Sequence, residues 1–296
     1  MEFADRLIEA RHSKRSIAVL GVDPQLDSSD SLGIPSGLTL TQFCCEVIEA
    51  AADFVVAIKP QLAFFEARGI DGMKALAEVL TFARKLNLIT IADAKRGDIG
   101  STSAAYAEAF LGGTDFACDA LTVNPFLGGD AIAPFVAHVR NGRGLFVLVR
   151  TSNPSSGDFQ DLPTSDGRPV WESIAERVRE WGSGSIGACE MSSVGAVIGA
   201  TYPRQAHRAR ELMPNTIILV PGYGAQGATA SDAVAGARPD GLGVIVNASR
   251  SLMYAYRSGE SDQVLSASRV AQAAHDAARA MRDDLNQALA ARSAAP

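Results

Sequence analysis

The chain has 296 residues, of which 47% are hydrophobic and 20% are charged, a balance that is typical of globular proteins and excludes wholesale disorder. Its formal net charge of −6 argues against a general nucleic-acid-binding protein, because such proteins present a basic surface. A chain of this length can bury a large core, either in one large α/β domain or in two smaller domains.

The amino-terminal segment, residues 1–16, is charged and amphipathic and lacks the apolar stretch and cleavage site of a signal peptide. No apolar run in the sequence approaches the length that spans a bilayer. The four cysteines (Cys44, Cys45, Cys118 and Cys189) show no CxxC or Cys/His spacing, so we expect buried free thiols. These features predict a cytoplasmic protein with no membrane partner.

Short, continuously apolar runs rich in β-branched residues recur along the chain, and each is followed by a loop and a helical pattern. We predict eight strands, over residues 16–23, 54–60, 88–95, 120–124, 145–150, 194–200, 216–221 and 242–249. The predicted helices between them cover residues 40–52, 72–86, 101–113, 131–140, 170–181 and 203–212. Continuous apolar character is typical of parallel strands that are covered on both faces. Eight such units predict a (β/α)₈ TIM barrel, with an open doubly wound sheet as the alternative.

We expect a single barrel domain over residues 1–296, with the barrel itself at about 14–258. Two segments exceed what a minimal barrel needs. Residues 153–169 follow the fifth predicted strand and are rich in Pro, Gly, Ser and Asp, which indicates a long loop that acts as a lid or an insertion. The Ala-rich segment from 261 to about 292 has helical spacing and predicts a carboxy-terminal helix packed outside the barrel.

Charged residues stand at the ends of the first three predicted strands. Asp23 ends the first strand and Lys59 the second, while Asp93 and Lys95 share one face of the third. Barrel enzymes keep their active sites at this carboxyl rim. An unpaired charge there costs several kcal/mol, so we expect these groups to pair, with both lysines protonated and both carboxylates ionised. A catalytic cluster is favoured, and a structural ion-pair network is the alternative.

A lysine flanked by carboxylates remains an ammonium group, which suits proton donation or the stabilisation of a carbanion. A Schiff-base lysine needs a lowered pKa instead, so an imine mechanism is disfavoured for Lys95. Asp98 follows after Gly97, where the chain turns toward the next predicted helix.

A glycine-rich loop follows the seventh predicted strand, where barrels commonly bind phosphate. Gly222, Gly224 and Gly227 allow the backbone to approach an anion closely, Gln226 offers an amide, and Arg250 offers a guanidinium one strand later. Structural turns are the alternative. The loop also matches the dinucleotide pattern GxGxxG, but the acidic residue that this pattern requires about 20 residues later is absent.

Ser152 and Asn153 follow the fifth strand and carry groups suited to reading a polar ring edge, with a simple turn as the alternative. The four histidines all lie on helical stretches away from the strand ends, which favours surface roles. No cluster has metal-ligand spacing, so no metal is expected, although Asp23 and Asp93 could hold Mg²⁺ through water.

The stretch DAKRGDIGST, residues 93–102, resembles the D-x-K-x-x-D-I-x-x-T signature of the orotidine 5′-phosphate decarboxylase family. The resemblance extends over nearly the whole chain, through the segments GVDP, AIKPQLAFFEARG, VRTSNP, VPGYGAQG and ASRS, and is greatest to the longer bacterial branch. It implies a (β/α)₈ homodimer that converts orotidine 5′-monophosphate to UMP and CO₂ in de novo pyrimidine synthesis, without metal or cofactor.

The resemblance also implies residue roles around the reacting carbon. Lys95 protonates C6 of the pyrimidine and Asp93 lies against the departing carboxylate. Lys59 bridges the charged network and the ribose, and Asp23 contacts the ribose hydroxyls. Decarboxylation without a cofactor leaves a carbanion, and an adjacent fixed ammonium group is suited to stabilise it.

Other implied roles concern substrate binding and the dimer. Asp98, Ile99 and Thr102 would serve the site of the neighbouring subunit. Ser152 would read the pyrimidine edge, and Gln226 and Arg250 would bind the phosphate.

The sequence departs from the family pattern in two places. Compact members carry glycine immediately before the phosphate-binding arginine, where this chain has Ser249. The 153–169 segment is longer than theirs, so lid contacts do not transfer. Two rival functions stay open: a Mg²⁺-dependent sugar-phosphate decarboxylase or aldolase of the same barrel group, and a non-catalytic nucleotide-binding barrel.

Overall fold

Eight parallel strands form a closed barrel in the computed structural model, which describes residues 1–25, 33–35, 37–224, 227–257 and 266–293. Each strand pairs with the next, and the eighth pairs with the first. The strands are β1 Ala18–Val22, β2 Ala57–Pro60, β3 Ile89–Arg96, β4 Ala120–Val123, β5 Gly144–Arg150, β6 Ser192–Ile198, β7 Thr216–Pro221 and β8 Val244–Ala248. The predicted (β/α)₈ barrel is confirmed, and the open-sheet alternative is wrong because β1 and β8 are hydrogen-bonded to each other.

The six helices predicted between the strands are present with small shifts at their ends, and the structure adds short helices that were not predicted. In chain order the helices are α1 Phe3–Lys14, α2 Leu40–Ala51, α3 Leu62–Glu66, α4 Gly69–Lys85, α5 Gly100–Leu111, α6 Gly129–Val139, α7 Gly157–Gln160, α8 Val170–Gly182, α9 Pro203–Leu212, α10 Ala230–Ala233, α11 Arg250–Met253 and α12 Ala267–Ser293. None of the helices in the described part of the chain combines the length and the apolar character that crossing a membrane requires.

Helix α1 closes the amino-terminal end of the barrel. Phe3 packs edge-on against Phe146 of β5, with ring centroids 6.0 Å apart. A Cβ atom at Gly144, the first residue of β5, would overlap the Phe3 ring, so glycine makes room for the plug. The buried side of α1 joins the residues that fill the barrel interior. The opposite, carboxyl end of the barrel is therefore the end left open for a site.

The segment after β5 is folded rather than extended. It contains a short 3₁₀ turn at Pro154–Ser156 and the one-turn helix α7. Arg150, which is 2% exposed, donates hydrogen bonds to Gln160 (3.1 Å) and Asp161 (2.8 Å). Its guanidinium carbon lies 3.9 Å from the ring centroid of Tyr202. These contacts hold the beginning of the predicted lid or insertion against the end of β5.

Helix α12 packs outside the barrel, against α2, α10 and α11, as predicted. One stripe of its surface is buried, at Val270, Ala274, Ala278, Met281, Leu285 and Leu289. The predicted start near residue 261 lies outside the described residues. The cysteines are all free thiols, as expected, but only Cys44 and Cys118 are buried, whereas Cys45 and Cys189 are partly exposed.

Candidate active site

A cavity of about 420 Å³ opens at the carboxyl end of the barrel. Most of the predicted site residues line this cavity: Asp23, Lys59, Asp93, Lys95, Ser152, Asn153, Ser249 and Arg250. The ends of five different strands therefore bring these side chains together, because the carboxyl ends of parallel strands meet at one rim.

Asp93 is the centre of the charged group. Its Oδ2 accepts hydrogen bonds from Lys59 Nζ at 2.5 Å and from Gln61 Nε2 at 3.1 Å. Its Oδ1 accepts from Lys95 Nζ at 2.5 Å and from Thr122 Oγ1 at 3.2 Å. One carboxylate thus pairs with two ammonium groups, as predicted from the strand ends. Lys59 is 4% exposed, whereas 46% of the Lys95 side chain is exposed, so Lys95 has room to meet a ligand.

The electrostatics keep Asp93 and Lys59 charged. Burial disfavours the carboxylate, but Lys59 and Lys95 more than offset this effect and hold the pKa of Asp93 far below its usual range. Burial also disfavours the charged form of Lys59 and lowers its pKa. The nearby Asp93 and Asp23 raise this pKa by more than burial lowers it, so the pKa of Lys59 lies above its ordinary value. At neutral pH the buried pair is therefore carboxylate and ammonium.

Asp23 differs from the expectation that all four charged groups pair and that both carboxylates are ionised. Burial raises the pKa of its carboxyl group, an effect only partly opposed by Lys59 and by the Ser249 hydroxyl. Among the described residues no ion pair includes Asp23, and its Oδ1 is buried without a hydrogen-bond partner. The expectation that both carboxylates are stabilised as anions holds for Asp93 and is not met for Asp23, because only Asp93 lies within direct contact of an ammonium group.

The glycine-rich loop after β7 lies at the same cavity. Gly222, Gly224 and Gly227 all have positive φ angles, of 100°, 69° and 83°, which L-residues rarely adopt. Gly222 lines the cavity, whereas Gly224 does not. Gln226 lies outside the described residues. Tyr223 also lines the cavity and donates a hydrogen bond to Asp284 of α12 at 2.6 Å, which ties this loop to the carboxy-terminal helix.

Ser249 fits its position without strain. Its φ angle is −115°, which any residue adopts, so the backbone there does not require the glycine of compact family members. A Cβ atom at Gly21 of β1 would overlap the Ser249 side chain. Glycine at position 21 therefore provides the space that the serine hydroxyl occupies.

Besides Gly224, three described residues of the predicted site lie outside the cavity of their own chain. Asp98 accepts a hydrogen bond from the Ile99 amide at 2.8 Å in the turn after β3. Ile99 is 58% exposed, and Thr102 is exposed on the first turn of α5. The structure does not bring these residues to Lys95.

Comparison with known proteins shows which family the chain belongs to. A sequence profile of the orotidine 5′-phosphate decarboxylase / HUMPS family matches residues 26–261, which include every predicted site residue except Asp23. The chain belongs to this family. It is 43% identical to orotidine 5′-phosphate decarboxylase of Rhodopirellula baltica over 275 residues, covering 88% of this chain and 91% of the relative.

Further relatives cover the chain almost completely. Orotidine 5′-phosphate decarboxylase of Deinococcus radiodurans is 43% identical over 289 residues, which are 97% of this chain and 98% of the relative. Among solved structures, Leishmania donovani OMP decarboxylase superposes with a TM-score of 0.77 at 32% identity, over 100% of both chains. The sequence comparison and the structure comparison therefore support the same family over the whole barrel.

Several cavity residues were not predicted from the sequence. Gln61 and Thr122 both donate to Asp93, and Asn247 and Tyr223 line the cavity wall. A signal for Gln61 exists, since it follows Lys59 by two positions and continues the same face of β2. Thr122 is a polar residue in the otherwise apolar strand β4, which is the only sequence sign of its role.

Proposed function

We propose that this chain decarboxylates orotidine 5′-monophosphate to UMP and CO₂ in pyrimidine synthesis, with neither metal nor cofactor. The observation that carries the proposal is the pairing of Lys95 Nζ with Asp93 at 2.5 Å in the wall of the cavity at the carboxyl rim. A fixed ammonium group at such a site favours a developing carbanion. Sequence identity of 43% to two orotidine 5′-phosphate decarboxylases supports this assignment of the substrate.

In the proposed reaction the bond between C6 and the substrate carboxylate breaks, and its electron pair stays on C6. CO₂ leaves, and a proton moves from Lys95 Nζ to C6 as the negative charge develops. Asp93 lies against the departing carboxylate and fixes the Lys95 ammonium group. Lys59 holds Asp93 in its charged form and borders the ribose.

The other predicted site residues are assigned to the rest of the nucleotide. Oδ1 of Asp23, which is buried without a hydrogen-bond partner in the protein, accepts a hydrogen bond from a ribose hydroxyl. Ser152 and Asn153 border the pyrimidine, and Arg250, Gly224 and Gln226 belong to the phosphate side. A volume of about 420 Å³ lies within the usual range for small-molecule sites.

Turnover of orotidine 5′-monophosphate, followed by the loss of its ultraviolet absorbance, tests the function. We expect UMP and CO₂ in equal amounts, and the same rate before and after treatment with EDTA. A rate that falls with EDTA and returns with Mg²⁺ would favour the rival sugar-phosphate enzyme. Absence of turnover in a chain that still binds UMP would favour the non-catalytic barrel.

We also propose that the protein is a cytoplasmic homodimer in which Asp98, Ile99 and Thr102 complete the partner's site. These residues lie outside their own cavity; Ile99 and Thr102 are exposed and Asp98 is partly exposed. The neighbouring loop after β4 carries Phe126, which is 84% exposed, and a second copy of the chain would cover such an apolar surface. The C₂ symmetry of a dimer gives each site one such set from the other subunit.

Mixing inactive variants tests this sharing. In a heterodimer of Lys95→Ala and Asp98→Ala chains, one of the two sites has both residues intact. After full subunit exchange at equal concentrations we expect about a quarter of wild-type activity, because half of the dimers are mixed. As a control, Lys95→Ala mixed with Arg250→Ala should recover nothing, since both residues line the cavity of one chain. No recovery in the first mixture, with exchange verified by mass spectrometry, would contradict the shared site.

A further inference from the structure

One buried hydroxyl contacts both residues of the Asp93–Lys95 pair, the carboxylate of Asp93 and the backbone of Lys95. Thr122 lies on β4, is 1% exposed, and borders the cavity. Its Oγ1 accepts a hydrogen bond from the backbone N–H of Lys95 at 2.9 Å and lies 3.2 Å from Asp93 Oδ1. Since accepting from Lys95 leaves the hydroxyl proton free, Thr122 donates that proton to the carboxylate. The alternative acceptor, the carbonyl oxygen of Ala92, lies farther away at 3.5 Å and is uncharged.

The backbone at Lys95 explains why a side chain is needed there. Lys95 has a φ angle of 49°, in the left-handed region that residues other than glycine rarely adopt. The pairing between β3 and β4 shifts register between Ala92 and Arg96, so the regular ladder is interrupted around Lys95. The Thr122 hydroxyl thus takes the Lys95 N–H at this irregularity. An unusual backbone conformation persists only where its surroundings stabilise it.

We propose that Thr122 is a positioning residue for the reaction: its hydroxyl orients the Asp93 carboxylate and stabilises the backbone at Lys95, and thereby directs the Lys95 ammonium group into the cavity. This inference rests on the proposed function. Thr122 acts through Asp93 and Lys95. Its contribution is preorganisation, because groups that are already oriented need not rearrange during the reaction.

Two substitutions at Thr122 separate the hydroxyl from the shape of the side chain. Valine keeps the branched shape and removes the hydroxyl, whereas serine keeps the hydroxyl. We expect Thr122→Val to lower kcat about 10- to 100-fold, the range for a lost hydrogen bond to a charged group, with little change in KM. Thr122→Ser should keep kcat within about threefold of wild type, since the hydroxyl is what matters.

Thr90 provides a matched control. It is also 1% exposed in a barrel strand, and its hydroxyl also contacts a carboxylate, Asp119, at 3.0 Å, but it does not line the cavity. Thr90→Val should lower thermal stability and leave kcat unchanged. Loss of kcat in Thr90→Val equal to that in Thr122→Val would overturn the proposal, as would normal kcat in Thr122→Val or a Thr122→Ser variant as impaired as Thr122→Val.

Failure of the proposed function remains distinguishable from failure of this inference. Wild-type protein that does not turn over orotidine 5′-monophosphate contradicts the function, and crystal structures then decide the role of Thr122. We expect Lys95 Nζ and Asp93 to separate beyond hydrogen-bond distance in Thr122→Val and to stay paired in Thr122→Ser. An unchanged pair in Thr122→Val would overturn the positioning role.

Discussion

Replacement of Lys95 by alanine is expected to lower kcat for orotidine 5′-monophosphate by about 10⁴-fold or more. In the proposed reaction the ammonium group both stabilises the developing charge at C6 and supplies the proton, and either contribution alone is worth about 10²-fold to 10³-fold or more. Binding of UMP should change little, because the phosphate side of the cavity, at Gly222 and Arg250, stays intact. The measurements are steady-state turnover and titration calorimetry with UMP.

Lys74→Ala is the matched control for this prediction. Lys74 lies on α4 with 70% of its side chain exposed, and its one ion pair among the described residues is with the exposed Asp71. Its loss should leave turnover and stability unchanged, since exposed ion pairs contribute little. A Lys95→Ala variant whose kcat stays within tenfold of wild type would remove Lys95 from the reaction.

Replacement of Asp93 by asparagine is expected to affect both activity and stability. The neutral amide leaves the ammonium group of Lys59 buried and without its directly paired carboxylate, and breaking a buried pair in this way lowers the free energy of unfolding by about 3–5 kcal/mol. It also removes the partner that fixes Lys95, so kcat should fall by about 10³-fold or more. Urea unfolding and steady-state kinetics measure the two effects.

Asp119→Asn is the control for the stability effect. Asp119 pairs with Arg6 at 2.6 Å and lies outside the cavity. Its substitution should lower the free energy of unfolding without lowering kcat. If Asp93→Asn unfolds at the same urea concentration as wild type, the buried pair contributes nothing to stability and the electrostatic account of Asp93 is wrong.

The difference in the free energy of unfolding between wild type and Asp93→Asn depends on pH through the pKa shifts of Asp93 and Lys59. The pKa of Asp93 is lowered on folding, so its charge stabilises the fold fully above the unfolded pKa of about 3.9, and the contribution is lost as the pH falls through the folded pKa. The pKa of Lys59 is raised, so its contribution is full below the unfolded value of about 10.4 and is lost as the pH rises through the folded pKa. The stability difference between wild type and Asp93→Asn should therefore be fully present at about pH 5 and shrink as the pH falls below about 4.

The sequence was sufficient for the barrel and for the centre of the site. Continuous apolar runs mark covered parallel strands, and the carboxyl ends of such strands meet at one rim. Charged residues at three strand ends therefore had to lie together, and Lys59, Asp93 and Lys95 do. Local pattern determines this part of the structure.

Other features depend on tertiary detail that local pattern does not contain. The proposed role of Thr122 depends on a register shift between β3 and β4, which no run of apolar residues encodes. The raised pKa of Asp23 depends on its burial away from direct ion pairs. The position of α1 depends on a contact between Phe3 and Gly144, more than a hundred residues apart in sequence. For Asp98, one chain alone does not contain the site that the residue is proposed to serve.

The most direct test of the central claim, that the ammonium group at position 95 protonates C6, restores that group chemically. Lys95→Cys should be inactive, and treatment with 2-bromoethylamine, which attaches an aminoethyl group to the thiol, should restore a large part of kcat. Wild type and Lys95→Ala treated in the same way control for modification of Cys45 and Cys189, which are partly exposed. Activity in untreated Lys95→Cys near that of wild type, or no gain after complete modification verified by mass spectrometry, would contradict the account.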